Sequence, residues 1–125
     1  MNVVRIVPNI LTDDPAGLSV FYARVFSLDV AMNMGFITTM QPQGGGSAQT
    51  PQLSLASEGG AGTPLPALSI EVEDLACVIA ACRDLAVPIE YGPVDEPWGV
   101  RRLYLRDPAG TLVNVLTHTQ SEATT

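Results

Sequence analysis

The chain has little with which to staple itself or to hold a metal. In 125 residues it has two cysteines, one histidine and one tryptophan. Cys77 and Cys82 lie five positions apart in a predicted helix, about 140° apart around its axis, which does not suit a disulfide. Both read as small apolar residues. No paired-Cys zinc spacing, P-loop, dinucleotide glycine fingerprint or Ser-His-Asp set occurs. Gly44-Gly45-Gly46 is followed by neither a lysine nor a helix start, so it reads as a flexible flap rather than a phosphate cradle. No apolar run approaches the roughly 20 residues of a membrane span. The N-terminus lacks the basic-then-apolar pattern of a signal peptide, which leads us to expect a cytoplasmic protein without a membrane partner. Basic residues are scarce too, 6 against 13 acidic ones, for a net charge of −7 and a pI near 4.3. Such a surface repels phosphate backbones, so no nucleic-acid partner is expected. It suits solubility or the attraction of a cationic ligand.

What is present is a repeat. Asp14 opens one amphipathic segment and Asp74 opens another sixty positions later, each after a short β-like run, Val4–Leu11 and Leu68–Val72. Further short apolar runs separated by Gly and Pro follow each. The length fits one domain able to bury a core, divided into a first half over about 1–58, a Gly- and Pro-rich linker over 59–66, a second half over 67–119 and a tail over 120–125. Two similar halves imply two βαβββ units with a site drawing corresponding residues from both. The fold class is therefore α+β, with each half a curved sheet carrying its helix on one face.

Local signals place the elements. Asp13 or Asp14 caps the first helix, Pro15 suits its first turn, and Leu18, Phe21, Tyr22 and Val25 form its apolar face. Strands are expected at Leu28–Met32 and Phe36–Gln41 around an Asn33-Met34-Gly35 turn, then at Gln52–Ala56 after a mobile loop over 42–51. In the second half Asp74 caps a helix with Leu75, Val78, Ile79, Cys82 and Leu85 on its apolar face. Pro88–Tyr91, Val100–Leu105 and Leu112–Thr117 read as strands, with a loop over Gly92–Gly99. Asp107-Pro108-Ala109-Gly110 is a strong β-turn.

Alternation sorts the strand faces. In the first strand Val4, Ile6, Pro8 and Ile10 should pack on the helices, leaving Val7, Asn9 and Leu11 inside. In the fifth, Leu68, Ile70 and Val72 pack, and Ala67, Ser69 and Glu71 face inward. Leu103 and Leu105 pack while Arg102 and Tyr104 look inward; Val113 and Val115 pack while Leu112, Asn114, Leu116 and His118 look inward. A slip of one residue would exchange every assignment.

Three segments carry a resemblance: Phe21-Tyr22, Glu96-Pro97-Trp98-Gly99-Val100-Arg101-Arg102, and Arg106-Asp107-Pro108-Ala109-Gly110-Thr111-Leu112-Val113-Asn114. Taken in order with the repeat, the chain resembles the glyoxalase / bleomycin-resistance / extradiol dioxygenase (vicinal oxygen chelate) superfamily over nearly its whole length. The resemblance implies two βαβββ modules forming curled mixed sheets around a pocket, helices outside, often as a homodimer. It also implies that the metal positions of catalytic members fall on Val7, Ser54, Ala67 and Asn114. Val7 and Ala67 have no donor atom, and Ser54 and Asn114 are neutral oxygens, poor ligands for a divalent transition metal. No metal or other cofactor is therefore expected, and Pro97-Trp98-Gly99 points to the metal-free bleomycin-resistance-like members.

The expected activity is binding of a small aromatic or cationic molecule. Trp98 would stack on it, or else cover the core or a dimer contact. Arg102 and Tyr104 would fix a carboxylate or carbonyl, unless Arg102 pairs with Glu96. Asn9, Ser69 and Asn114 would offer neutral hydrogen bonds, or satisfy one another. Phe36 and Met40, with Met32 and Met34, would form an adaptable wall or simply core. His118 is a strand-end histidine, a ligand contact or, with Glu71 or Glu90, part of an atypical metal site. That last arrangement would make the protein an enzyme, a glyoxalase-like lyase or isomerase or a dioxygenase.

Overall fold

Two aspartates start the helices by the same device. Asp14 accepts a hydrogen bond from the Gly17 backbone N–H at 3.0 Å, and Asp74 accepts one from Ala76 at 3.0 Å, each satisfying a donor that the helix leaves orphaned. The computed structural model describes residues 2–119; the expected tail over 120–125 lies outside them. The elements run β1 (Val3–Leu11), α1 (Pro15–Phe26), β2 (Leu28–Asn33), β3 (Ile37–Pro42), β4 (Leu53–Ala56), β5 (Leu68–Val72), α2 (Leu75–Asp84), β6 (Ile89–Glu96), β7 (Val100–Arg106) and β8 (Leu112–His118).

All the strands belong to one open mixed sheet in the order β2-β3-β4-β1-β5-β8-β7-β6. Each half contributes four strands in matching order. Its first strand lies parallel to its last, β1 on β4 and β5 on β8, and the halves meet where β1 and β5 pair antiparallel. The fold is α+β, as the repeat implies.

One hydrophobic core lies under α2, where Val72, Leu75, Leu103, Val113 and Val115 are buried together with Ile70, Val78 and Ile79 against them. Full burial of a residue such as Leu103 or Leu55 contributes roughly 1.5–3 kcal/mol. The α1 helix lies against β2, β3 and β4. Its packing departs from the periodicity: Leu18 and Tyr22 are half-buried, but Phe21 and Val25 are 51% and 56% exposed. Leu85 is exposed because the helix ends before it, at the cap. Ile6, expected under a helix, is also more than half exposed.

The expected loop over Gly92–Gly99 is largely strand. β6 continues to Glu96 through register shifts that absorb Gly92 and Pro93. Because β6 is an edge strand, the missing Pro93 N–H breaks no inner ladder. Gly92 has φ +77, and any β-carbon there would collide with the Arg102 carbonyl oxygen. The loop over 42–51 is tied by Gly45 N–H on the Pro42 carbonyl and by Thr50 Oγ1, which accepts from Gly46 and Ser47. No residue from 43 to 50 lines the main cavity. The Asp107–Gly110 turn forms as its composition dictates, with Gly110 N–H on the Asp107 carbonyl at 2.9 Å.

Candidate functional site

The sheet curves around a cavity of about 330 Å³ to which seven of the eight strands contribute, all but β6. That volume is at the lower end of small-molecule sites. Its floor lies where the two halves join. Strand register sets Asn9 opposite Ser54, and Ser69 opposite Asn114. The repeat therefore relates Asn9 to Ser69 and Ser54 to Asn114. Val7 also lines the cavity, but Ala67 is exposed and does not reach it. The repeat-related polar residues that line the floor are Asn9, Ser54, Ser69 and Asn114.

These four side chains are neutral and largely engaged. Asn9 Nδ2 donates to Ser69 Oγ at 3.1 Å and to the Pro66 carbonyl at 3.0 Å; Asn114 Nδ2 donates to Ser69 Oγ at 3.0 Å; Ser54 and Thr39 hydroxyls lie 2.9 Å apart. Amide and hydroxyl oxygens of this kind are poor ligands for a divalent transition metal. Among the described residues, no group of three or more His, Cys, Asp or Glu side chains is placed to hold a metal ion. One floor atom has no partner: Asn114 Oδ1, buried and unbonded. Leaving such an acceptor unpaired costs about 1–3 kcal/mol, which a ligand donor would offset.

One wall is apolar. Met32, Met34 and Phe36 line the cavity with Trp98, whose ring meets Phe36 edge-on at 5.9 Å between centroids. Met40, expected in this wall, is fully buried elsewhere, beside a second, smaller hollow near Leu28 and Leu53. Alternation explains the difference: Thr39 of β3 points into the cavity, so Met40 points away from it.

Arg102 borders the cavity, and four of the five N–H donors of its guanidinium are engaged. Nε bonds Glu96 Oε2 at 2.7 Å, Nη1 bonds the Gly59 carbonyl at 2.6 Å and Tyr104 Oη at 2.9 Å, and Nη2 reaches the Gly60 carbonyl at 3.3 Å. Its charge also sits 5.0 Å from the Trp98 ring and 4.9 Å from that of Tyr104. Both Arg102 and Glu96 are buried. Tyr104 does not reach the cavity; its hydroxyl is shared with Thr63 and the Gly59 carbonyl. This network fastens the segment after β4 and positions Trp98. Gly60, with φ +88, lies so close to Trp98 and Phe36 that an added β-carbon would stand 2.8 Å from the indole.

The cavity rim holds charges. Arg5 Nε lies 2.8 Å from Glu71 Oε1 as an ion pair, although its N–H is not aimed along that line. Glu71 Oε2 lies 2.9 Å from His118 Nδ1. Arg5 was not singled out by sequence, although its parity with Val7 and Asn9 places it on the same face. Glu58 at the end of the first half and the linker residues Gly59, Leu65 and Pro66 also line the cavity. No sequence signal marks them, because Gly- and Pro-rich composition shows only that a loop is present. Leu11, expected inside, is exposed at the end of β1, and Leu112 is buried outside the cavity.

This architecture defines the class. Two βαβββ halves side by side in one curved sheet around an inner cavity constitute the fold of the glyoxalase / bleomycin resistance / dioxygenase superfamily, the vicinal oxygen chelate fold. No family profile and no curated protein matches the chain. A superfamily member from Vibrio splendidus superposes with a TM-score of 0.63 at 14% identity, over 94% of this chain and 99% of that one. Methylmalonyl-CoA epimerase from Mycobacterium tuberculosis does so with a TM-score of 0.61 at 16% identity, over 98% and 91%. A protein from Legionella pneumophila named as an NAD-dependent benzaldehyde dehydrogenase gives a TM-score of 0.71 at 13% identity, over 92% and 100%. At these identities the similarity is one of fold.

Proposed function

We propose that this protein binds a small aromatic or cationic molecule in the cavity without a metal, as the bleomycin-resistance branch of the superfamily does. The observation that carries this reading is the floor: Asn9, Ser54, Ser69 and Asn114 are neutral groups, with Asn9 and Asn114 donating to Ser69 and Ser54 bonded to Thr39. Trp98, Phe36 and Met34 supply a surface for a planar ring, and Asn114 Oδ1 supplies an acceptor for a donor on the ligand. Arg102 and Tyr104 act through Trp98 rather than on the ligand. The binder is further proposed to be a homodimer, supported by the apolar residues Val20, Phe21, Val25 and Phe26 exposed on α1.

Trp98 is the sole tryptophan, so its fluorescence reads the cavity directly. Titration with aromatic metabolites and cationic glycopeptides should quench or shift that emission, saturably, for at least one class. Elemental analysis of the protein purified without chelator should show no stoichiometric transition metal. Stoichiometric zinc, nickel, manganese or iron, with an activity lost on chelation, would instead make the protein an enzyme of glyoxalase or dioxygenase type.

A further inference from the structure

The rim charges form a chain across three adjacent strands. Arg5 on β1 pairs with Glu71 on β5, and Glu71 in turn meets His118 at the end of β8. All three line the cavity. The Glu71 side chain is only 13% exposed, whereas that of His118 is 45% exposed. Arg5 already balances the charge of Glu71, so the histidine is not needed to neutralise it.

A carboxylate on Nδ1 has a definite effect on an imidazole. It holds the proton at Nδ1 and leaves the lone pair at Nε2. The other charged side chains lining the cavity are Arg5, Glu58 and Arg102. Arg102 is committed to Glu96 and Arg5 to Glu71, so the imidazolium itself is the counter-charge for an anion formed in the cavity. The aromatic wall of Trp98 and Phe36 belongs to the same cavity.

From this geometry we propose that His118, with Glu71 as its positioning residue, accepts the proton of a weakly acidic hydroxyl on an aromatic ligand bound in the cavity. The ligand O–H bond breaks, an N–H bond forms at Nε2, and the electron pair stays on the ligand oxygen as a phenolate beside the imidazolium. Release reverses the step, so no co-reactant is consumed. An ordinary phenol is about 3.5 pK units less acidic than imidazolium, so the transfer is nearly balanced only for a phenol acidified by an electron-withdrawing ring substituent, and that is the class of hydroxyl the base suits. The proposal rests on the small-molecule reading of the cavity and narrows its ligand to a phenol-bearing aromatic.

The test uses 4-nitrophenol, whose ionised form absorbs in the visible, and 4-nitroanisole, which has no hydroxyl proton. Binding of each is followed by Trp98 quenching, and the ionised fraction of bound 4-nitrophenol by its visible band, at a pH where the free phenol is mostly neutral. The wild-type protein should raise the ionised fraction of bound probe several-fold over that in buffer. His118→Gln should abolish this enhancement per bound molecule, and Glu71→Gln should reduce it. Quenching by both probes with the bound phenol still neutral in the wild-type protein overturns the proton transfer while leaving the cavity as a binding site. An enhancement that survives His118→Gln overturns the assignment of the base. Quenching by neither probe overturns the proposal together with the small-molecule reading beneath it.

Discussion

Asp74 serves two donors at once. One carboxylate oxygen caps α2 at the Ala76 N–H, and the other accepts the Cys77 thiol at 3.3 Å. The Cys77 pKa is therefore raised, first by that hydrogen bond and next by the charge of Asp74. The neutral thiol is the favoured form, so this contribution is present below the ordinary thiol pKa and is lost as pH rises through the raised one. Since the thiolate is the nucleophile, Cys77 should alkylate slowly with iodoacetamide near pH 8 despite its exposure. Asp74→Asn keeps a capping side chain and should speed that reaction several-fold. Equal rates in the two proteins would sink the assignment. Tyr91 shows the same logic: its O–H donates to Glu96 at 2.8 Å, and that bond is the main cause of its raised pKa.

At the scale of elements, β6, β7 and the segment after β4 are joined by a buried ion pair. Arg102 and Glu96 have side chains only 4% exposed, and Arg102 adds two glycine carbonyls and contacts with three aromatic rings. Removing one member of a buried pair strands the other, which costs about 3–5 kcal/mol. Arg102→Met should lose stability of that order in urea denaturation, and it should also change the emission of Trp98, which rests on the guanidinium. A loss below about 1 kcal/mol would show that the pair is not the fastening it is argued to be. Pairing of Arg102 with Glu96 was an open alternative in the sequence; proximity along the chain suggested it. The carbonyls of Gly59 and Gly60 could not be foreseen, because they approach from the linker, 43 and 42 positions away.

For the whole molecule, the exposed apolar residues of α1 are the main feature that one chain leaves without a packing partner. No described helix is long and apolar enough to cross a membrane. If a second copy covers α1, sedimentation should show a dimer at micromolar concentration. The double substitution Phe21→Glu and Val25→Glu should then give a folded monomer, since both side chains are more than half exposed and their loss leaves the described core intact. A wild-type monomer at 100-fold higher concentration (about 2.7 kcal/mol of mass action) would remove the dimer from the proposal.

The sequence by itself determined the elements and their order. Capping aspartates, 3.6-residue and two-residue periods and the Asp-Pro-x-Gly turn are local signals, and the sixty-residue repeat then sets one half against the other. Alternation also fixed the inward face of β5 and β8, hence Ser69, Glu71, Asn114 and His118. Only the tertiary structure decided which facing residues meet. Strand register brought Asn9, Ser69 and Asn114 into hydrogen-bond contact, and it joined Arg5, Glu71 and His118 across three strands. Helix placement left Phe21 and Val25 in the open. Such outcomes depend on contacts between residues distant in the chain, and a one-residue shift in pairing reverses every face while leaving each local signal unchanged.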